Sequence, residues 1–160
     1  MKSSRSRSLK SAAALAALIA LGSSATAQIR FSSVTVEAEA ANALARRALQ
    51  PHLNAAFAGQ TGPRAGQRLV VRITTVMLTA NPSGGFARSG RLGAGSDERD
   101  YLEGTAFVVG PAGRVISRTP LLVSQQGSSG GAWYLPDNEL RRLDALGQQY
   151  AMWLRRKLAD

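Results

Sequence analysis

Apolar and polar positions change period several times along this chain, and each change marks an element. Ile29 to Val36 (IRFSSVTV) is rich in β-branched residues and predicts a first strand, with Val34 and Val36 on one face. From Glu37 the period lengthens. Ala38, Ala41, Ala45, Leu49, Leu53 and Ala56 fall on one helical face, while Glu37, Glu39, Arg46, Arg47 and Gln50 lie elsewhere. Pro51 either kinks this helix or opens a second one as its first residue. Gly59 ends the element.

Gln60 to Gln67 (QTGPRAGQ) reads as a turn-rich connection. Arg68 to Leu78 (RLVVRITTVML) predicts a strand with Leu69, Val71, Ile73 and Met77 facing a core. Arg72 and Thr74 share its other face with Val70, Val76 and Leu78. Ala80 to Asp100 has five glycines and no periodicity, which predicts a mobile loop or a segment that orders on binding. Tyr101 to Val109 and Arg114 to Val123 then flank Gly110-Pro111-Ala112-Gly113, the signature of a hairpin. Pro120 marks a bulge or an edge in its second arm.

Ser124 to Gly131 (SQQGSSGG) has the composition of a linker. Asp137 is placed to cap a last helix, in which Leu140, Leu143, Gly147, Tyr150, Leu154 and Leu158 recur at helical spacing. The sum is an α+β domain in the order β-α-β-β-β-α. Two layers are expected: a mainly antiparallel sheet of about four strands, with both helices on one face.

The residues before Ile29 follow a different logic. Lys2, Arg5, Arg7 and Lys10 precede ten apolar residues, Ala12 to Leu21, and Ala25-Thr26-Ala27 supplies small side chains. This order predicts a secretory signal peptide over residues 1–27, cleaved after Ala27, with a single domain over 28–160. Ten residues rise only about 15 Å as a helix, half of a bilayer core. No later apolar stretch is long enough to span, so no transmembrane segment is expected after cleavage. Export through the Sec route to a Gram-negative periplasm is the expected localisation.

The leader also changes the charge argument. The whole chain carries +10, and removal of its four cations leaves +6, a moderately basic exported protein rather than a nucleic-acid binder. There is no cysteine and only one histidine, which excludes disulfides, thiolate metal sites and Cys nucleophiles. No cofactor is expected.

Three constellations resemble catalytic or ligand motifs. Gly127-Ser128-Ser129-Gly130-Gly131 matches Gly-x-Ser-x-Gly, and His52, Asp97 or Asp100, and Ser129 stand in the order of a trypsin-like triad. A nucleophile elbow needs a strand entering a helix directly, and a double barrel needs more strands than this chain supplies. Gly90-Arg91-Leu92-Gly93-Ala94-Gly95 and Gly59 to Gly66 lack phosphate-loop spacing. Asp97, Glu98, Asp100 and Glu103 lack calcium-loop spacing and read as a solvated rim. The expectation is therefore not an enzyme. The residues expected to meet a partner or an anion are Arg88 and Arg91 in the glycine-rich segment, with Arg141, Arg142, Arg155 and Arg156 on the last helix.

The order of strand, helix, strand, hairpin and a last helix carrying Trp153 resembles small periplasmic accessory domains. Examples are the auxiliary subunit of ABC-type lipid transport systems and the lipoprotein that plugs the outer-membrane lipopolysaccharide translocon. Those proteins are usually lipoproteins, whereas this leader ends Ala-Thr-Ala-Gln without Cys, and no site residue carries over. The resemblance implies an accessory, assembly or binding module of a cell-envelope complex. Its partner would be an envelope protein or an anionic lipid surface. The alternative is a small protein that binds an anionic ligand or lipid.

Overall fold

The computed structural model describes residues 29–59, 64–79, 99–132 and 134–159. The elements come in the predicted order: β1 (Phe31–Glu37), a 3-10 turn (Ala40–Asn42), α1 (Ala43–Phe57), β2 (Arg64–Met77), β3 (Arg99–Val109), β4 (Val115–Gln126), a second 3-10 turn (Gly127–Gly130) and α2 (Asn138–Ala159). The four strands form one sheet in chain order. β1 runs parallel to β2 because α1 lies between them and returns the chain to the starting end; the β2–β3 and β3–β4 pairings are antiparallel. The predicted leader, Arg88, Arg91, Asp97, Glu98, the glycine motif at 90–95 and Trp133 lie outside the described residues.

One face of the sheet carries both helices. α1 buries Ala45, Leu49, Leu53 and Phe57, and α2 buries Leu143, Leu146, Tyr150, Ala151, Leu154 and Leu158. These stripes meet Phe31, Val36, Leu69, Val71, Ile73, Leu102, Ala106, Val108 and Val123 from the strands. Phe31 and Phe57 meet edge to face at 6.0 Å, tying β1 to the end of α1. Pro51 sits inside the single helix α1 rather than opening a second one. The carbonyl deprived of its partner belongs to Arg47, on the exposed side where water can serve it.

Four local expectations are corrected. β2 begins at Arg64, four residues before the predicted start, because Arg64 has anchors of its own. Its guanidinium donates to the Leu158 carbonyl at 3.3 Å and lies 5.8 Å from the Phe31 ring centroid. Gly66, at φ +83°, supplies the left-handed backbone there. Met77 does not face the core. The register slips between Ile73 and Thr75, so Thr75 and Met77 join the outer face opposite Glu103 and Tyr101, while Val76 pairs with Leu102. A one-residue slip inverts every later side chain of a strand.

Arg99 and Asp100 belong to β3 rather than to the glycine-rich loop. The predicted linker is also shorter than its composition suggests. Ser124 to Gln126 finish β4, and Gly127 and Gly130 are buried in the 3-10 turn that delivers the chain to α2. The hairpin itself is as expected: Gly113 N donates to Gly110 O at 2.9 Å, with Gly113 at φ +79°.

Candidate functional site

Of the six arginines expected to touch a partner, four are described, and they divide. Arg142 is the correction. It is buried, and its Nε donates to Asp100 Oδ2 at 2.8 Å while Nη2 donates to Asp100 Oδ1 and to the Thr79 carbonyl at 2.9 Å. Asp100 Oδ1 also accepts the Thr79 N–H at 2.8 Å. Arg142 therefore ties the end of β2 and the start of β3 to the first turn of α2, and it has no surface left for a partner. Helical spacing held the signal: position 142 stands one turn before Leu146, on the buried stripe. Asp100 continues the inward alternation of Leu102, Gly104 and Ala106, so it is no part of a solvated rim.

Arg141 is exposed and bonds Asp137 Oδ2 at 2.8 Å one turn earlier in the chain. Arg155 and Arg156 are exposed near the end of α2, with the Arg156 guanidinium 4.8 Å from the Trp153 ring centroid.

Of the triad suggested by sequence order, the version with Asp100 is not assembled, and Asp97 lies outside the described residues. Asp100 is engaged with Arg142 and Thr79, whereas His52 Nε2 meets Asp144 Oδ1 at 2.7 Å. Ser129 lies exposed in the 3-10 turn. Among the described residues no group of His, Asp and Glu is placed to hold a metal ion, and no helix is long and apolar enough to cross a membrane.

The surface that sequence reasoning missed is the other face of the sheet. Pairing places Thr35, Val70, Phe107 and Arg118 in one row across it, and Glu37, Arg72, Thr105 and Pro120 in the next. Thr75, Glu103 and Leu122 form a third row, and Met77, Tyr101 and Ser124 a fourth. An antiparallel sheet with one solvated face normally alternates apolar-in and polar-out. Here the outer rows keep Leu122 at 61% exposure, Met77 at 58% and Val115 at 52%. Neither helix covers them.

Arginine dominates the charge of this face. Arg72 and Arg118 place their guanidinium carbons 5.7 and 5.9 Å from the Phe107 ring centroid, and Arg68 stands in the row beside them. Among the described residues the acids there are Glu37 and Glu103, and Glu37 is bound by Arg72 through Nε at 3.2 Å and Nη2 at 3.0 Å. Aromatic, methionine and arginine side chains, here Phe107, Met77, Arg72 and Arg118, are residue types that protein interfaces favour. β4 is an edge strand, one of the two settings expected for Pro120, and that proline removes a backbone donor from the middle of the strand. Strand addition along β4 is thereby discouraged, so contact falls to the face.

No family model matches the chain, and no curated protein matches it. Solved structures do. A Caulobacter crescentus protein classed as a lipoprotein is 18% identical, with a TM-score of 0.45 over 81% of this chain and 87% of that one. A minor lipoprotein from Acinetobacter baumannii is 14% identical, with a TM-score of 0.40 over 82% and 92%. The PelC dodecamer from Paraburkholderia phytofirmans is 10% identical, with a TM-score of 0.34 over 79% and 88%. No function is carried from them to this chain.

Proposed function

We propose that this protein is a non-enzymatic binding or assembly module of the Gram-negative cell envelope, which holds a partner protein against the uncovered face of its sheet. The observation that carries this reading is the make-up of that face: Arg72 and Arg118 flank the Phe107 ring, and Leu122, Met77 and Val115 stand exposed in other rows of the same face. Large apolar side chains left exposed along one face of a folded domain suit an interaction surface. The arginines select a partner that brings carboxylates to the rim and apolar side chains to the centre. The leader-like order of residues 1–27 supports export, and the engagement of Asp100 and His52 with other groups supports a role without catalysis.

The test is affinity purification of the tagged protein from periplasmic extract, run in parallel for wild type, Leu122→Asp and Arg118→Glu. A partner recovered at fixed stoichiometry with wild type is expected to be lost from both variants, whose melting temperatures stay near wild type. Retention of that partner by both variants would remove the sheet face from the account.

A further inference from the structure

The two helices run in the same direction and meet at Gly147 without room for a side chain there. A Cβ there would lie 3.1 Å from His52 Cδ2 and 3.2 Å from the Ala48 carbonyl oxygen. Beyond this contact, towards their C-terminal ends, a groove of about 620 Å³ opens between them on the side away from the sheet. Its walls are mostly short and apolar, with Ile29 before β1, Ala55 and Ala56 from α1, and Ala151 and Met152 from α2, while His52 and Gln148 stand at the end near Gly147. Arg155 and Arg156 stand at its rim, and among the described residues no carboxylate lines it. Among the described residues neither arginine has an acidic partner, and the nearby Asp144 is taken by His52. The volume lies within the range of small-molecule sites, which are mostly apolar with a few placed polar groups.

The geometry points to this groove as a binding site for a single-chain anionic amphiphile, such as a fatty carboxylate. The apolar chain lies along the alanines and Met152, and the acidic head is held by Arg155 and Arg156. An inorganic anion would leave the apolar walls unused, and a neutral chain would leave both cations unused. The stacking of Arg156 on Trp153 keeps one guanidinium close to the rim, so less freedom is lost when a head group arrives. This site is on the opposite side of the molecule from the sheet face, and the two stand or fall separately.

Isothermal titration calorimetry with dodecanoate below its micelle concentration tests it. One site per chain is expected. Ala55→Trp fills the groove from an exposed position and is expected to abolish the binding, with Met152→Asp as an independent second block. Arg155→Ala combined with Arg156→Ala should weaken dodecanoate by about tenfold or more, the scale of losing a charge-assisted hydrogen bond. Dodecanol should bind the wild type about as weakly as dodecanoate binds that double variant, and inorganic phosphate should not register. Folding of each variant is checked by its melting curve. Unchanged dodecanoate binding in folded Ala55→Trp and Met152→Asp would overturn the proposal. So would phosphate binding as tight as dodecanoate, or binding seen only with anionic vesicles.

Discussion

Arg142 and Asp100 face each other in the interior, 42 residues apart in sequence, and bind through two guanidinium nitrogens and both carboxylate oxygens. Both Asp100 oxygens are thus occupied, and Arg142 spends its remaining contact on the Thr79 carbonyl. The pair joins three elements that hydrophobic contact alone would leave free to slide. Removing one partner strands a buried charge, so Arg142→Met should cost about 3–5 kcal/mol in urea unfolding. Arg142→Met combined with Asp100→Leu should cost less than Arg142→Met alone, because the stranded carboxylate goes with it. Arg141→Ala, one position away on the exposed side, should stay within about 0.5 kcal/mol.

The same junction restricts Gly130. A Cβ at that position would lie 2.6 Å from the Asn138 carbonyl oxygen and 2.7 Å from Arg142 Cγ. Gly130→Ala must push the 3-10 turn away from α2, and overpacking of this kind costs about 1–3 kcal/mol. The expected result is a lower melting temperature with near-wild-type far-UV circular dichroism. A melt identical to wild type would show that the turn is not packed against the helix.

Tyr150 presents an alkaline test. Its side chain is fully buried, and its hydroxyl has no hydrogen-bond partner among the described residues. Burial raises its pKa well above the ordinary value of 10.0. The unfolded chain therefore gives up this proton at a lower pH than the folded one. Stability contributed by the neutral phenol is fully present below about pH 10 and is lost as pH rises beyond it, with a limiting slope of about 1.4 kcal/mol per pH unit. Tyr150→Phe should remove that slope. At neutral pH it should match or exceed wild-type stability by up to about 1 kcal/mol, since it deletes an unsatisfied hydroxyl. Urea titrations at pH 7 and pH 11 check both parts.

Leu154 marks how α2 is oriented. It is fully buried between Tyr150 and Leu158 on the stripe that meets the sheet, while Arg155 beside it is exposed. Leu154→Ala should cost about 2–5 kcal/mol as a large-to-small change in the core. Arg155→Glu should cost no more than about 0.5 kcal/mol. Equal effects of the two substitutions in urea unfolding would contradict the orientation of the helix.

Much of this arrangement was legible in residue patterns, because periodicity reports burial directly. The α2 stripe from Leu143 to Leu158, the hairpin around Gly113 and the edge position of Pro120 follow from spacing and turn chemistry. Leu140, expected on that stripe, is exposed, and Arg142 and Leu143 are buried at that end instead. What escaped was set by tertiary contacts. The slip after Ile73 moved Met77 outward, and no local feature of RITTVM announces a bulge. Arg142 and Asp100 were placed by charge rather than by position, although helical spacing and strand alternation put both inside. The uncovered sheet face was hidden for a further reason. Phe107, Leu122 and Arg118 come from two strands, and only their pairing makes them neighbours.

The central claim is that this uncovered face, and not the helical side, meets a protein partner. Site-specific photocrosslinking in intact cells tests it most directly, with the crosslinker placed at Leu122 on the sheet face and at Leu140 on the helical side, both well exposed. The account predicts one discrete crosslinked protein from Leu122, none from Leu140, and loss of the Leu122 product when Arg118→Glu is added. The same discrete product from Leu140, with none from Leu122, would contradict it.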